Sequence, residues 1–250
     1  MPGPNWPRLL LRATGRRLPR TRGRLRVMGL RDHLLIRRDR WGIPHIDAAN
    51  GEDAWFGLGF CHAQDRAFQL ETLLRVGRGT LAELIGPDAL PLDRMSRRLG
   101  FRRVAEKQEG ILGPDVRDTL AAYAAGINAG LTQGLPRRAH EFLLLRARPT
   151  AWTVGDVLAF VGLQAFSLSS NWDSELARLR ILSTDGPAAL RALDPTYAAW
   201  LPVTSPVGTV AGATLDRLAE DLAILRATSS GGGGSNNWAI AGSRTVSGKP

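Results

Sequence analysis

Cysteine occurs once in these 250 residues, at Cys61. That excludes a disulfide framework and a cysteine-based zinc site, so the fold must rest on packing. Lysine is nearly as scarce, with Lys107 and Lys249 the only two. The basic residues are therefore almost all arginine, a compositional habit of the whole chain. Long apolar runs are missing too. None approaches the roughly twenty residues of a membrane span, and the longest near the start is Leu9 to Leu11. A secretory signal needs a longer continuous apolar stretch, so the sequence as given reads as soluble and unexported. Two catalytic signatures are also absent: the Gly-x-Ser-x-Gly elbow and the His-Glu-x-x-His pair. The histidines His33, His45, His62 and His140 are scattered, and each reads first as a hydrogen-bonded structural residue. A serine hydrolase with His45 or His62 as base is a rival reading. No internal repeat of fixed period is found.

What is present is a hydrophobic content of 44%, enough for one large domain or two small ones with a real core. The formal charge of +10 is concentrated: residues 1 to 40 hold twelve arginines against Asp32 and Asp39, which accounts for all of it. The remainder of the chain is balanced. The plain reading is a basic N-terminal tail; the alternative is a helical binding module with an arm for nucleic acid or an acidic membrane. No aromatic ladder is interleaved with these arginines.

Two β-like runs, GRLRVMGL (23–30) and HLLIRRD (33–39), flank Arg31-Asp32 and predict a hairpin. Helical spacing follows over 51–77, through Leu58, Cys61, Leu70, Leu73 and Leu74. The clearest helix is 112–131, with Leu112, Val116, Leu120, Tyr123, Ile127 and Leu131 at intervals of three or four, stopped by Gly134 and Pro136. Another is expected from a Thr153 cap with Asp156 in its first turn, running to about Leu168. Leu176, Leu179 and Leu182 mark a helix with Asp173 as expected cap, and Leu215, Leu218, Leu222 and Leu225 mark the last. The stretch LDPTYAAWLPVTSPVGTVAG between them reads as a loop or extended crossing.

The glycine run before Ser235 could be a plain linker, yet NWAIAG directly after it reads as a strand. A serine that becomes the first residue of a new chain carries its own base. A free α-amine titrates near about pH 8, whereas a lysine amine must be strongly desolvated to act at neutral pH. The Ser235 hydroxyl could attack the Gly234 carbonyl, shift the amide to an ester and let water free the amine. Glycine at 234 leaves that carbonyl unshielded.

RRDRWGIPHIDAAN, GFCHAQDRAFQLE, GRGTLAELIG, AAYAAGINAG and GSNNWAIAGSRTVSGKP, in this order, resemble the penicillin amidase (penicillin acylase) family of N-terminal-nucleophile hydrolases, from about residue 22 to 250. The last block is the most specific. The resemblance implies an α+β fold: a mainly helical α-chain segment with an N-terminal β-hairpin, part of an αββα hydrolase. It implies a basic tail at 1–21, a helical α-chain segment at 22–226, a Gly/Ser-rich spacer at 227–234 and the start of a β chain at 235–250. By the same resemblance Gly234-Ser235 is the cleavage point and Ser235 the catalytic nucleophile toward an amide, with the chain's own β chain as partner after processing. Phe166 and Leu168 resemble acyl-pocket wall residues, which could equally be ordinary core. Glu175 resembles a glutamate of a calcium site; a solvated first-turn glutamate is the equal alternative. Calcium is the one cofactor expected, and neither an organic cofactor, nucleic acid nor a membrane span is. Substrates implied are acylated small molecules: β-lactams, acyl-homoserine lactones or lipopeptides. The family's β chain continues for hundreds of residues past the position of Pro250, so the sequence reads as a truncated precursor. As such it is expected to be inactive alone. Family members often work outside the cytoplasm, which conflicts with the missing signal.

Overall fold

The computed structural model describes residues 14–169, 171–193, 217–224 and 240–249. The chain divides into two compact units, Met1–Ser169 and Ser170–Pro250. Among the described residues, no helix is long and apolar enough to cross a membrane.

The first unit opens with an antiparallel hairpin, β1 (Leu34–Arg38) and β2 (Pro44–Ala48), in register at Ile36 and Ile46. The sequence predicted a hairpin one run earlier, and that expectation is corrected. The run 23–30 is not a strand. Asp53 accepts from the backbone amides of Arg31 and Asp32, each at 2.9 Å, which pins that junction to the next helix rather than leaving it as a turn. The true turn lies at Asp39–Gly42. The Asp39 carboxylate accepts from the amides of Trp41 (2.8 Å) and Ile43 (3.0 Å), and Gly42 supplies a φ of 81°. Pro44 is tolerated because it is the first residue of its strand. The displaced run is used for packing instead: Leu25, Val27 and Leu30 lie against Phe56 and Phe60.

Helix α1 (Gly51–Arg78) is the spine of this unit. Asn50 caps its start by accepting from the Asp53 amide, Gly79 ends it in the left-handed conformation, and the helical geometry is interrupted once, at Arg66. A short helix α2 (Ala82–Ile85) follows, and Asp93 accepts from the Leu81 and Ala82 amides at its start, at 2.7 and 2.9 Å. Then come α3 (Leu90–Leu99), α4 (Phe101–Glu109) and α5 (Pro114–Ala129). The predicted 112–131 helix is thus present as α5, closed by a wide turn at Gly130–Gly134. Helix α6 (His140–Leu144) is short, and α7 (Val154–Leu168) matches its expected bounds, with Thr153 and Asp156 forming a reciprocal capping box. Leu70, Leu74, Ile127, Phe142, Trp152 and Val157 form the core where α1, α5 and α7 meet. Cys61 of α1 is also buried, and burial pushes its thiol up to about 11, which keeps it protonated at neutral pH.

The second unit contains α8 (Trp172–Thr184), α9 (Gly186–Leu193) and a helix at 217–224 whose Leu222 is buried. Asp173 was expected to cap α8, but the helix starts at Trp172, two residues earlier than that cap would place it, and Asn171 holds the cap position. Asp173 lies inside the helix because Trp172 already has helical backbone geometry. Of the predicted strand NWAIAG, residues 237–239 lie outside the described residues. Ile240 and Ala241 are not in a strand, and Gly242–Arg244 forms a 3-10 turn. A strand needs a paired edge, and no strand besides β1 and β2 is present among the described residues. The crossing expected after Leu193 also lies outside them.

Candidate active site

Two of the sequence-predicted residues, Phe166 and Leu168, lie on α7, and the placement of that helix comes from buried charge on α1. Arg78, in the last turn of α1, donates from Nε and Nη2 to the two Asp156 oxygens, both at 2.7 Å. This bidentate fork is the strong form of a charge-assisted pair. Asp156 also accepts from the Thr153 amide (2.8 Å) and hydroxyl (2.7 Å). Two turns earlier on α1, the fully buried Glu71 accepts from Arg75 Nε at 2.6 Å and from the Thr150 amide and hydroxyl, both at 2.7 Å. Asn128 of α5 completes the anchor: it accepts from the Trp152 amide at 2.8 Å and donates to the Trp152 carbonyl at 2.9 Å. Residues 150–156, which lead into the first turn of α7, are therefore held at three points.

Sequence reasoning placed Asp156 at a helix start but missed Arg78, Glu71 and Asn128. A signal for Glu71 was available. It stands four residues after Ala67 and three before Leu74, on the apolar stripe of α1, where an acid is buried only if it is paired.

Burial pushes the Asp156 carboxyl up, but the Arg78 hydrogen bonds, then those of Thr153, outweigh it and leave the group below the usual carboxylate range. The Arg78 guanidinium is raised, first by its hydrogen bond to Asp156. For a carboxylate whose folded value is depressed, the stabilisation is fully present above its unfolded value, about 4, and disappears as pH falls through the folded value. Asp156→Asn should therefore lower the melting temperature at pH 7, by the equivalent of about 3 kcal/mol for a partly solvated buried pair. The gap to wild type should narrow as pH falls below about 4 and close once it has passed through the depressed folded value. A gap independent of pH in thermal melts would exclude this pair as the cause.

Phe166 meets Phe101 of α4 edge-on, with centroids 5.9 Å apart, whereas Leu168 is 73% exposed at the end of the helix. Two residues apart on a helix, they point to different faces. Glu175 lies on α8 in the second unit and accepts from Arg178 at 2.7 Å. Among the described residues no three His, Cys, Asp or Glu side chains group as metal ligands. Gly234 and Ser235 lie outside the described residues. As for the histidine alternative, the rings engage other groups than serine: His45 Nε2 is 3.3 Å from Asp39, and His62 Nδ1 is 2.8 Å from the Tyr123 hydroxyl. Burial lowers the His62 imidazole.

Comparison with known proteins gives a consistent set. The family model described as penicillin amidase matches residues 34–250. A penicillin acylase 2 proenzyme of Pseudomonas sp. (strain SE83) is 37% identical over an alignment covering 93% of this chain and 31% of that protein. The acyl-homoserine lactone acylase QuiP of Pseudomonas aeruginosa is 33% identical over 93% of this chain and 28% of its own. A solved structure, a thermostable penicillin G acylase from Alcaligenes faecalis, superposes with a TM-score of 0.54 at 30% identity, covering 72% of this chain and 98% of that one. The chain thus spans less than a third of the length of the two Pseudomonas proteins.

Proposed function

Since the chain belongs to the penicillin amidase family, we propose that the complete protein is an amide-bond hydrolase that removes an acyl group from a small molecule. The observation that carries this is the extent of the family match: it runs to residue 250 and takes in Gly234-Ser235-Asn236-Asn237-Trp238. In this reading the precursor cuts itself between Gly234 and Ser235. The freed α-amine takes the proton from the Ser235 hydroxyl through water as that oxygen attacks the substrate carbonyl, and the acyl-enzyme is then hydrolysed. The relatives named as penicillin and acyl-homoserine lactone acylases define the two substrate classes to test. An N-acyl-homoserine lactone and penicillin G, offered to the full-length protein, should release a primary amine detectable with fluorescamine from at least one. Release from neither, by protein that is folded and cut, would overturn the proposal.

Phe166 and Leu168 enter this proposal as acyl-contacting residues. The Arg78–Asp156 and Glu71–Thr150 anchors act through them as positioning groups, because they fix the helix that carries both.

Calcium at Glu175 belongs to the same proposal and is the finer part of it. Calcium takes six to eight oxygen ligands. Among the described residues no three His, Cys, Asp or Glu side chains group together, and Glu175 is half-exposed and already paired with Arg178, so these residues do not by themselves fit the ion. Calorimetry on the 250-residue chain should detect no calcium binding, while the full-length protein should bind it and lose affinity on Glu175→Ala. Tight binding by the 250-residue chain would place the site elsewhere.

A further inference from the structure

We propose that the first unit carries a docking surface for anionic phospholipid membranes, formed by the arginine-rich N-terminal segment, which runs beside residues 134–140, and by the chain that continues from there to residue 148. The structure joins two segments that are more than a hundred residues apart in sequence. The Arg20 amide donates to the Gly134 carbonyl at 2.8 Å, Arg17 Nη1 to the Arg138 carbonyl at 2.8 Å, and His140 Nε2 lies 3.1 Å from the Gly15 carbonyl. The two segments therefore run antiparallel along one stretch of surface. Residues 14–31 contain no acid, and residues 134–148 contain Glu141 alone. Arg16, Arg17, Arg20, Arg137, Arg138 and Arg148 lie in this stretch, and none forms an ion pair among the described residues. Positive charge is thus gathered without compensation.

The same stretch exposes apolar side chains. Leu143, Leu144 and Leu145 are consecutive and 42%, 55% and 40% exposed, and Leu18, between the arginines of the other segment, is 65% exposed. Consecutive at the end of α6, the three leucines spread exposed apolar surface around that end of the helix. Directly after them Arg146 holds a φ of 51°, the one positive φ at a non-glycine among the described residues. A cavity of about 380 Å³ is lined by two of these arginines, Arg138 and Arg148, with Asn128, Leu131, Thr132 and Pro149. Its mixture of guanidinium and apolar wall suits a phosphate headgroup and the start of its acyl chains.

Charge complementarity with exposed leucine selects an anionic bilayer over a nucleic acid, because leucine inserts among acyl chains but offers no ring on which a base can stack. Each arginine near an anionic leaflet raises partitioning about fivefold. The surface is peripheral, since no described helix can span a bilayer.

The test is co-sedimentation of the full-length protein with phosphatidylcholine vesicles and with phosphatidylcholine–phosphatidylglycerol vesicles. The protein should pellet with the anionic vesicles only, and moderate salt should release it. Arg16→Gln combined with Arg137→Gln, and separately Leu144→Ser combined with Leu145→Ser, should each weaken vesicle binding at least about tenfold at unchanged melting temperature. Binding is read independently of amide hydrolysis, so an inactive protein still tests the surface. Equal binding to neutral and anionic vesicles, binding to neither, or tighter binding to duplex DNA than to anionic vesicles would each overturn the proposal.

Discussion

Ser235→Ala in the full-length protein should yield one uncut chain with acylase turnover at least about 10³-fold below wild type. Wild type should show a second chain beginning Ser-Asn-Asn-Trp by intact mass and N-terminal sequencing. One hydroxyl is lost, but two steps of the proposed mechanism need it. Without it nothing attacks the Gly234 carbonyl, so the amide to the preceding glycine survives and the α-amine is never freed. Without it there is also no oxygen to form the acyl-enzyme. Ser235→Cys should keep some cleavage, because a thiol can make the corresponding amide-to-thioester shift. That rescue separates a chemical role from a structural one. A wild-type protein that remains a single chain and still hydrolyses the substrate would refute the mechanism.

Gly126→Ala should destabilise the first unit by roughly 3 kcal/mol or more, although alanine is the better helix former by about 1 kcal/mol. The reason lies between helices. A Cβ on Gly126 would fall on the Phe56 carbonyl oxygen, and one on Gly59 would fall on the carbonyl oxygen of Tyr123. At Gly130 the added atom would sit 2.6 Å from both the Ala63 Cβ and the Phe60 carbonyl oxygen. Helices α1 and α5 therefore meet backbone to backbone, and a methyl group at any of the three positions forces them apart. Close-packed interiors do not absorb such a shift locally, and the core at Ile127 and Leu74 would open with it. Gly51→Ala is the control: its added Cβ meets nothing within 4 Å, so it should be neutral or stabilise by about 0.5 kcal/mol. Chemical denaturation of the two variants distinguishes the accounts. A stable Gly126→Ala would mean that α1 and α5 can separate at no cost.

These glycines show where sequence reading stopped. The motif AAYAAGINAG was visible, and so was the 3.6-residue stripe through Leu120, Tyr123 and Ile127 that predicts α5. What a stripe cannot say is which helix lies against it, or at what distance. Gly126 reads as a mild flaw in a helix until Phe56 is seen across from it. Glu71 has the same character: an acid on an apolar stripe announces a partner, but Thr150 is 79 residues away. The candidate site was legible only as types of residue at known positions. Phe166 and Leu168 were named together, yet a helix places them on different faces, and Glu175 lies in the other unit.

By itself the sequence determined the helices with strong periodicity and clear caps. Local physics is enough there: α7 begins at Thr153 because its hydroxyl and the Asp156 carboxylate satisfy each other's amides within one turn. It also determined the family, through motifs whose order survives without coordinates. Only the tertiary structure decided the pairings. The hairpin moved from 23–39 to 34–48 because Asp53, on a later helix, claims the amides of Arg31 and Asp32, while Asp39 closes the turn that follows. The structure also joins Gly15, Arg17 and Arg20 to residues 134–140, a pairing that composition alone does not indicate. Apart from the local Asp39 turn, the deciding contacts join residues more than twenty positions apart in the chain. Sequence patterns report what one segment prefers, and long-range hydrogen bonds and close packing choose between segments with similar preferences.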